Sequence, residues 1–261
     1  MVPHRPGRWK DQHVSVTGSE QPAPGSSAGS GAAGAARLDP WLLPDVAGLV
    51  VGILGGTGEQ GRGLGLRLAR AGQRVLIGSR DGGRAAAAAA ELGSGVVGEA
   101  NDAVAAAADL VIAAVPYAGH AQLLAGLARS LAGKILVDCV NPLGFDERGA
   151  YPLAVPEGSA AQQAAALLPD TRVVAAFHHV SAVMLLDLTL ERVVGDVMVV
   201  GDDRSATDTV AALAGRIPGM RGIYAGRLRT AAALEALTAN LIAVNRRYRV
   251  HAGLLVTDLA R

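Results

Sequence analysis

Three glycines at a chemically informative spacing lie early in the chain. Gly56, Gly58 and Gly61 fit the pattern G-x-G-x-x-G within the segment GGTGEQG. Between a strand and a helix, such glycines permit a tight turn, let the backbone approach a pyrophosphate and allow close helix packing. The backbone N–H groups at the positive helix end would hold the phosphates. The motif therefore predicts a dinucleotide site formed by Gly55, Gly56, Thr57, Gly58, Glu59, Gln60 and Gly61.

Two simpler interpretations of this motif were weighed against the dinucleotide site. A P-loop needs a lysine and a hydroxyl residue after its last glycine, but Arg62 and Gly63 stand there. The glycines could also serve only to form a tight turn. The apolar run before them and the helical pattern after them favour a dinucleotide site.

The residues after the second apolar run indicate which dinucleotide binds. A site selective for NAD places an acidic residue there, against the ribose 2′-hydroxyl. This chain has Ser79 and Arg80, which would bind a 2′-phosphate through charge-assisted hydrogen bonds. Asp81 is better placed as the N-cap of the next helix. Arg84 lies one turn further on and could reach the same phosphate or remain a solvated helix residue.

These residues need an alternation of strands and helices to position them. Apolar runs rich in Val, Ile and Leu predict buried strands at residues 49–54, 74–80, 109–116 and 134–142. Helical patterns lie between them, one ending at Gly72 and others at 83–92 and 120–133. We therefore expect an α/β protein with a Rossmann-type, doubly wound parallel sheet.

Further elements predict a small C-terminal extension of strands and helices. Helices are expected at 159–168, 205–217 and 230–255, and strands at 172–177 and 195–201. We divide the chain into a disordered extension (1–48), an NADP-binding domain (49–144) and a C-terminal part that completes the pocket (145–261). The apolar side of the last helix is compatible with a homodimer and contains Leu234, Leu237, Leu241 and Ile242.

Composition excludes several functional classes. A net charge of +1 over 261 residues gives no basic field for nucleic acid, and no apolar run approaches the length of a membrane span. The single cysteine, Cys139, cannot form an internal disulfide and fits a reducing cytoplasm. The first 36 residues are rich in Gly, Pro, Ser and Ala and carry few large apolar side chains, which predicts disorder.

Several segments together resemble one enzyme family. The chain resembles the NADPH-dependent reductases of coenzyme F420, the 8-hydroxy-5-deazaflavin:NADP oxidoreductases. The segments that carry the resemblance are GGTGEQGRGL, IGSRDGGR, AAVPYAGH, DCVNPL and AFHHVSA, with the turn at 201–203. The glycine and Ser-Arg motifs also occur in pyrroline-5-carboxylate reductases and ferric reductase domains, but the combination is more specific. The resemblance extends from Leu49 to the C-terminus and does not cover the preceding tail.

The resemblance implies reversible hydride transfer between NADPH and the deazaflavin ring of coenzyme F420. It assigns the 2′-phosphate to Thr57, Ser79, Arg80 and Arg84, and it places His178 and Val180, with Ala182, beside the deazaflavin. Val115 and Pro116, after the strand predicted at 109–116, complete the expected cofactor site.

Hydride transfer between two rings depends on their alignment and needs no nucleophile. The sequence accordingly contains no nucleophile elbow, metalloprotease motif or recognisable carboxylate pair. His178 is expected to hydrogen-bond the deazaflavin, while His179, on the opposite face of a strand, could be a core residue. Tyr117 could pack on the nicotinamide or cap the core. His120 is expected to be a helix N-terminal residue and Cys139 inert packing.

Two other functions remain open from the sequence. A pyrroline or imine reductase would use the same cofactor but usually needs a larger C-terminal helical domain. A non-catalytic NADP-sensing protein would bind the cofactor without turnover, although no segment marks a partner surface.

Overall fold

The apolar runs form one central sheet, seen in a computed structural model that describes residues 39, 41–93 and 95–259. The strands are β1 (Val50–Leu54), β2 (Arg74–Ser79), β3 (Val96–Ala100), β4 (Leu110–Ala113), β5 (Ile135–Asp138), β6 (Leu143–Asp146), β7 (Gly149–Pro152), β8 (Arg172–Ala175), β9 (Gly195–Gly201) and β10 (Met220–Gly226). Eight of them join in the order β10-β9-β8-β5-β4-β1-β2-β3, while β6 and β7 pair separately as a hairpin.

Helices cover both faces of this sheet. They are α1 (Glu59–Arg70), α2 (Gly82–Leu92), α3 (Asn101–Ala107), α4 (Tyr117–Leu131), α5 (Ala160–Leu167), α6 (Ala182–Leu186), α7 (Arg204–Gly215) and α8 (Ala231–Tyr248). Alternate residues of a strand face opposite sides, so Ile112 lies in one hydrophobic cluster and Val111 in the other. Both clusters are buried, which confirms the prediction of strands covered on both faces.

The sheet is mostly parallel, as predicted, with one departure. All the neighbouring pairs from β3 to β8 are parallel, but β9 runs antiparallel to β8, with Val174 opposite Gly201. Strand β10 then pairs parallel to β9. The sequence analysis did not predict five of these elements or units: strands β3 and β10, helices α3 and α6, and the hairpin. Their segments are short or rich in glycine, so the apolar pattern is weak there.

Helix α8 is shorter than expected. It ends at Tyr248, and not near residue 255, because Arg249 adopts a left-handed conformation with φ 55°. The chain then runs along β9, where the Asp196 backbone N–H donates to the Leu254 carbonyl at 2.8 Å. Leu234, in the proposed dimer stripe, is buried within the chain itself.

The predicted N-terminal extension is only partly covered by the structure. Residues 1–38 and 40 lie outside the described residues. Near the predicted boundary at residue 48, Val46 is buried and its carbonyl accepts a hydrogen bond from the Gln73 side chain at 3.0 Å. The last residues of the segment therefore pack against the fold. Residues 39–261 form one compact unit, and the β5–β8 pairing carries the sheet across the expected division at 144.

Candidate functional site

The glycine turn has the close approaches that its motif predicts. Gly55 has a φ of +72°, which favours glycine. A Cβ atom on Gly56 would lie 2.5 Å from the Ile77 Cβ atom, and one on Gly61 would lie 2.7 Å from the Gly56 Cα atom. Helix α1 therefore packs directly on the turn, and only glycine fits at these two contacts.

The start of α1 is suited to binding an anion. The N-cap residue is Gly58, which supplies no side-chain hydrogen bond to the helix. The first N–H groups of a helix have no partner within the helix and carry its positive partial charge. A Cβ atom on Gly58 would have its nearest contact at 3.5 Å, so glycine at this position leaves the approach to the N-terminus open. Thr57 and Gln60 are half-buried beside it, and Glu59 is exposed.

The predicted 2′-phosphate residues lie at the end of β2. Ser79 is buried, whereas Arg80 and Arg84 are exposed. Asp81 caps α2, accepting hydrogen bonds from the Gly83 and Arg84 backbone N–H groups, as predicted. Ser79 and Arg80 line an open groove of about 290 Å³ between the sheet edge and α4.

Asn101, which the sequence analysis missed, links this groove to the glycine turn. Its side-chain oxygen accepts a hydrogen bond from the Gly55 N–H at 3.5 Å, and it lies close under Gly78. Asn101 also lines the groove beside Ser79. Asn101 is the first residue of α3 and directly follows β3, and the sequence pattern predicted neither element.

The loop after β4 lies beside the glycine turn and bounds the candidate cofactor site. A Cβ atom on Gly55 would lie 2.7 Å from the Val115 side chain, so Val115 rests against the glycine turn. Pro116 is exposed and is the N-cap residue of α4. The Tyr117 ring is tilted against the His120 ring, with 6.3 Å between the centroids.

The two histidines lie in a turn after β8, so the expectation that they occupy a strand is wrong. Both side chains are buried. Phe177, directly before them, has a φ of +64°, which breaks the extended backbone and lets both rings turn inward. The His179 Nε2 atom lies 2.9 Å from the Asp196 carbonyl oxygen, in agreement with a core role.

The backbone around His178 is fixed from three directions. Its carbonyl accepts hydrogen bonds from the Asn141 side-chain amide at 3.0 Å and from the Thr238 hydroxyl at 2.8 Å. The Phe177 carbonyl accepts one from the Gln60 side-chain amide at 3.3 Å. Gln60 belongs to the glycine motif, so this bond places the two predicted sites side by side.

The His178 ring is chemically distinctive. Neither ring nitrogen has a hydrogen-bond partner within the described part of the chain. Burial lowers the pKa of His178 to about 4, although the Asp138 charge and the Val140 backbone act in the opposite direction. The ring is therefore neutral near pH 7. Val180 and Ala182 follow it and are half-buried, and Ala182 is the first residue of α6.

A buried polar cluster lies behind this turn, and sequence reasoning missed two of its members. The His120 Nε2 atom is 2.6 Å from an Asp138 carboxylate oxygen, and both side chains are fully buried. Glu235 on α8 accepts hydrogen bonds from the Ala160 and Ala161 N–H groups at the start of α5. Asp138 is the last residue of β5, and an acidic residue inside a buried apolar run is a signal that could have identified it.

The pKa values of this cluster follow from its burial. Burial raises the pKa of Glu235 to about 7, against the effect of its two backbone hydrogen bonds. For His120, burial lowers the pKa, but the hydrogen bond and charge of Asp138 outweigh it and the net shift is upward. Burial also raises the pKa of the Cys139 thiol, whose sulfur donates to the Ala113 carbonyl at 3.0 Å. This agrees with inert packing for Cys139.

Within residues 39, 41–93 and 95–259, no group of three or more His, Cys, Asp or Glu side chains could hold a metal ion. None of the helices in the described ranges is both long and apolar enough to cross a bilayer.

The glycine turn and the turn at His178 are therefore the candidate positions for a dinucleotide and for a second ring. The glycines let helix, turn and strand pack closely, because a Cβ atom on Gly61 would meet Gly56 and one on Gly56 would meet Ile77. At the second position, both His178 ring nitrogens are buried.

Comparisons with known proteins agree with this geometry. Residues 50–142 match the family described as NADP oxidoreductase coenzyme F420-dependent. The F420-dependent NADP reductase of Methanothermobacter thermautotrophicus is 39% identical over 221 residues, which cover 80% of this chain and 95% of that protein. That of Methanocaldococcus jannaschii is 34% identical over 221 residues, covering 80% of this chain and 98% of its own length.

A solved structure shows the same relationship in three dimensions. The crystal structure of a putative F420-dependent NADP reductase from Arthrobacter sp. FB24 superposes with a TM-score of 0.70 at 30% identity. It covers 82% of this chain and all of the other. At these identities and coverages, the resemblance inferred from the motifs is confirmed: the chain belongs to the family of F420-dependent NADP reductases.

Proposed function

We propose that this protein transfers a hydride reversibly between NADPH and coenzyme F420. The observation that carries the proposal is the hydrogen bond from Gln60 to the Phe177 carbonyl, which joins the glycine turn to the histidine turn. NADPH bound at the glycine turn and a deazaflavin ring bound at the histidine turn would therefore lie next to each other. The membership of the chain in the F420-dependent NADP reductases supports the same pair of substrates.

In this proposal the chain binds NADP through three groups of residues. The backbone of Gly55, Gly56, Thr57, Gly58, Glu59, Gln60 and Gly61 holds the pyrophosphate at the start of α1. Thr57, Ser79, Arg80 and Arg84 bind the 2′-phosphate, for which two exposed guanidinium groups are suited. Of the two arginines, Arg80 lines the groove. Val115 and Pro116 bound the nicotinamide end.

His178, Val180 and Ala182 would orient the deazaflavin. The neutral His178 ring can donate or accept one hydrogen bond to the polar edge of the heterocycle and stabilise charge as the ring is reduced. NADPH supplies the hydride, and the chain supplies alignment and exclusion of water. No acid–base residue is needed for that step.

The direct test is spectroscopic. Purified protein mixed with NADPH and oxidised coenzyme F420 should bleach the deazaflavin absorbance, and much more slowly with NADH. Absence of bleaching, in a preparation that binds NADPH, would overturn the proposed reaction. Reduction of a pyrroline or another imine under the same conditions would support the alternative substrate class.

We also propose a homodimer and a cytoplasmic location. Val244 and Tyr248 are exposed on α8, which supports association through this helix. The single cysteine is a buried free thiol, which suits a reducing compartment. Light scattering on the purified protein tests the dimer, and a mass equal to one chain would contradict it. We expect nucleic acid and membranes to play no part.

A further inference from the structure

A cleft outside the site described above lies between the hairpin and the end of α8. Its volume is about 610 Å³, and its walls include Phe145 and Arg148 from the hairpin and Ile242, Arg246, Arg247 and Arg249 from the α8 side. We call it the arginine cleft.

The arginine cleft is strongly positive. Its one lining carboxylate, Asp146, lies 3.7 Å from the Arg148 guanidinium. Among the described residues, Arg246, Arg247 and Arg249 make no ion pair or side-chain hydrogen bond. Guanidinium groups without a protein partner, gathered in one concave surface, attract phosphate or carboxylate groups and can bind them through paired hydrogen bonds.

Both walls of the arginine cleft are connected to the backbone of His178 by hydrogen bonds. Asn141 and Thr238 each donate a hydrogen bond to the His178 carbonyl. From Asn141 the chain passes directly into β6, the first strand of the hairpin. From Thr238, one face of α8 continues through Ile242 to Arg246 at intervals of four residues. Eight residues of helix span about 12 Å.

We propose that the arginine cleft, whose arginines begin about 12 Å along α8 from the residue that contacts the His178 turn, binds phosphate or carboxylate groups of the deazaflavin substrate. The inference rests on the proposed function, because it places the deazaflavin ring at His178. The cleft then recognises the charged chain of the substrate while the turn at His178 orients the ring. Ring alignment and substrate affinity are thereby assigned to different residues.

The first experiment compares two ligands by equilibrium titration of their intrinsic fluorescence. One is coenzyme F420, and the other is the same deazaflavin with a neutral side chain that lacks phosphate and carboxylate. In the double variant Arg246→Ala/Arg247→Ala, the Kd for coenzyme F420 should rise about tenfold or more. The Kd values for the neutral deazaflavin and for NADPH should not change. Arg204→Ala, an exposed arginine on α7, is the matched control and should change none of them.

Equal weakening of both deazaflavins, or of neither, would overturn the assignment. Arg249→Ala alone gives a second test should the double variant fold poorly. If the wild-type protein binds neither deazaflavin, the proposed function fails, and calorimetry with inorganic pyrophosphate at saturating NADP⁺ decides the cleft separately. Pyrophosphate binding that disappears in the double variant supports an anion site, whereas unchanged or absent binding refutes it.

Discussion

At the scale of single residues, cofactor choice depends on the end of β2. Ser79 and Arg80 both line the groove there, with Arg80 exposed at its rim. Arg80→Ala removes a charge-assisted contact, so NADPH affinity should fall by roughly 1.5 to 3 kcal/mol. NADH carries no 2′-phosphate, and its affinity should barely change. Titration of both nucleotides against the variant and against Arg204→Ala measures the difference. Equal losses for NADPH and NADH would refute the phosphate assignment.

His178 should stay neutral across the physiological range. Burial lowers its pKa to about 4, because a charged ring inside the fold loses its hydration. An NMR titration of the histidine ring resonances should therefore find one ring that remains neutral down to about pH 5. His178→Ala identifies that resonance by its loss. A midpoint near 6.5 for His178 would show that the ring is open to water and would contradict the buried placement.

At the scale of elements, two glycines near the contact between α1 and the glycine turn should differ in their roles. One should matter for the stability of the fold and the other for NADPH binding. A Cβ atom on Gly61 would lie 2.7 Å from the Gly56 Cα atom, so Gly61→Ala should lower the free energy of unfolding by roughly 1 to 3 kcal/mol. Gly58→Ala meets its nearest contact at 3.5 Å and should fold normally, but it should bind NADPH more weakly. Thermal unfolding and nucleotide titration of both variants test the pair. Similar stability for the two would contradict the predicted packing.

The contact between α8 and α5 predicts a pH-dependent stability. Burial gives the Glu235 carboxyl a pKa of about 7 in the folded chain, against 4.5 for an exposed glutamate carboxyl. The folded state thus holds a proton that the unfolded state releases, and stability should decline as pH rises from about 4.5 to 7. The shift corresponds to about 3 kcal/mol.

Glu235→Gln removes this ionisation with little change in shape. Urea unfolding at a series of pH values should show a flatter decline for the variant than for the wild type in that window. His120, whose pKa is also raised, would leave a residual decline in both proteins as pH passes its folded-state pKa. Parallel curves would show that Glu235 ionises freely in the folded chain.

At the scale of the whole molecule, the two predicted parts share one sheet. Strand β5 pairs with β8, and residues 39–261 form a single compact unit. We therefore expect a single cooperative unfolding transition in calorimetry, with agreement between calorimetric and van't Hoff enthalpies. Saturating NADP⁺ should raise its midpoint as one transition. Two separate transitions, of which only one responds to NADP⁺, would contradict this.

Much of the cofactor half could be predicted because its signals are local. The glycine turn follows an apolar strand and precedes a helix, and Asp81 caps α2 as expected. Asn101, Asp138 and Glu235 were missed because they act through partners 18 to 75 residues away in the sequence. Strand periodicity also misplaced His178 and His179, since a single left-handed residue, Phe177, ends the extended backbone before them.

By itself, the sequence determined the alternating α/β architecture, the dinucleotide motif and the family resemblance. These depend on patterns within a few neighbouring residues, such as strand alternation and glycine spacing. Only the tertiary structure decided that β9 reverses direction, that Gln60 contacts the histidine turn, and that the hairpin and α8 enclose an arginine-lined cleft. Such contacts join distant segments, and local pattern carries no information about which distant segments will meet.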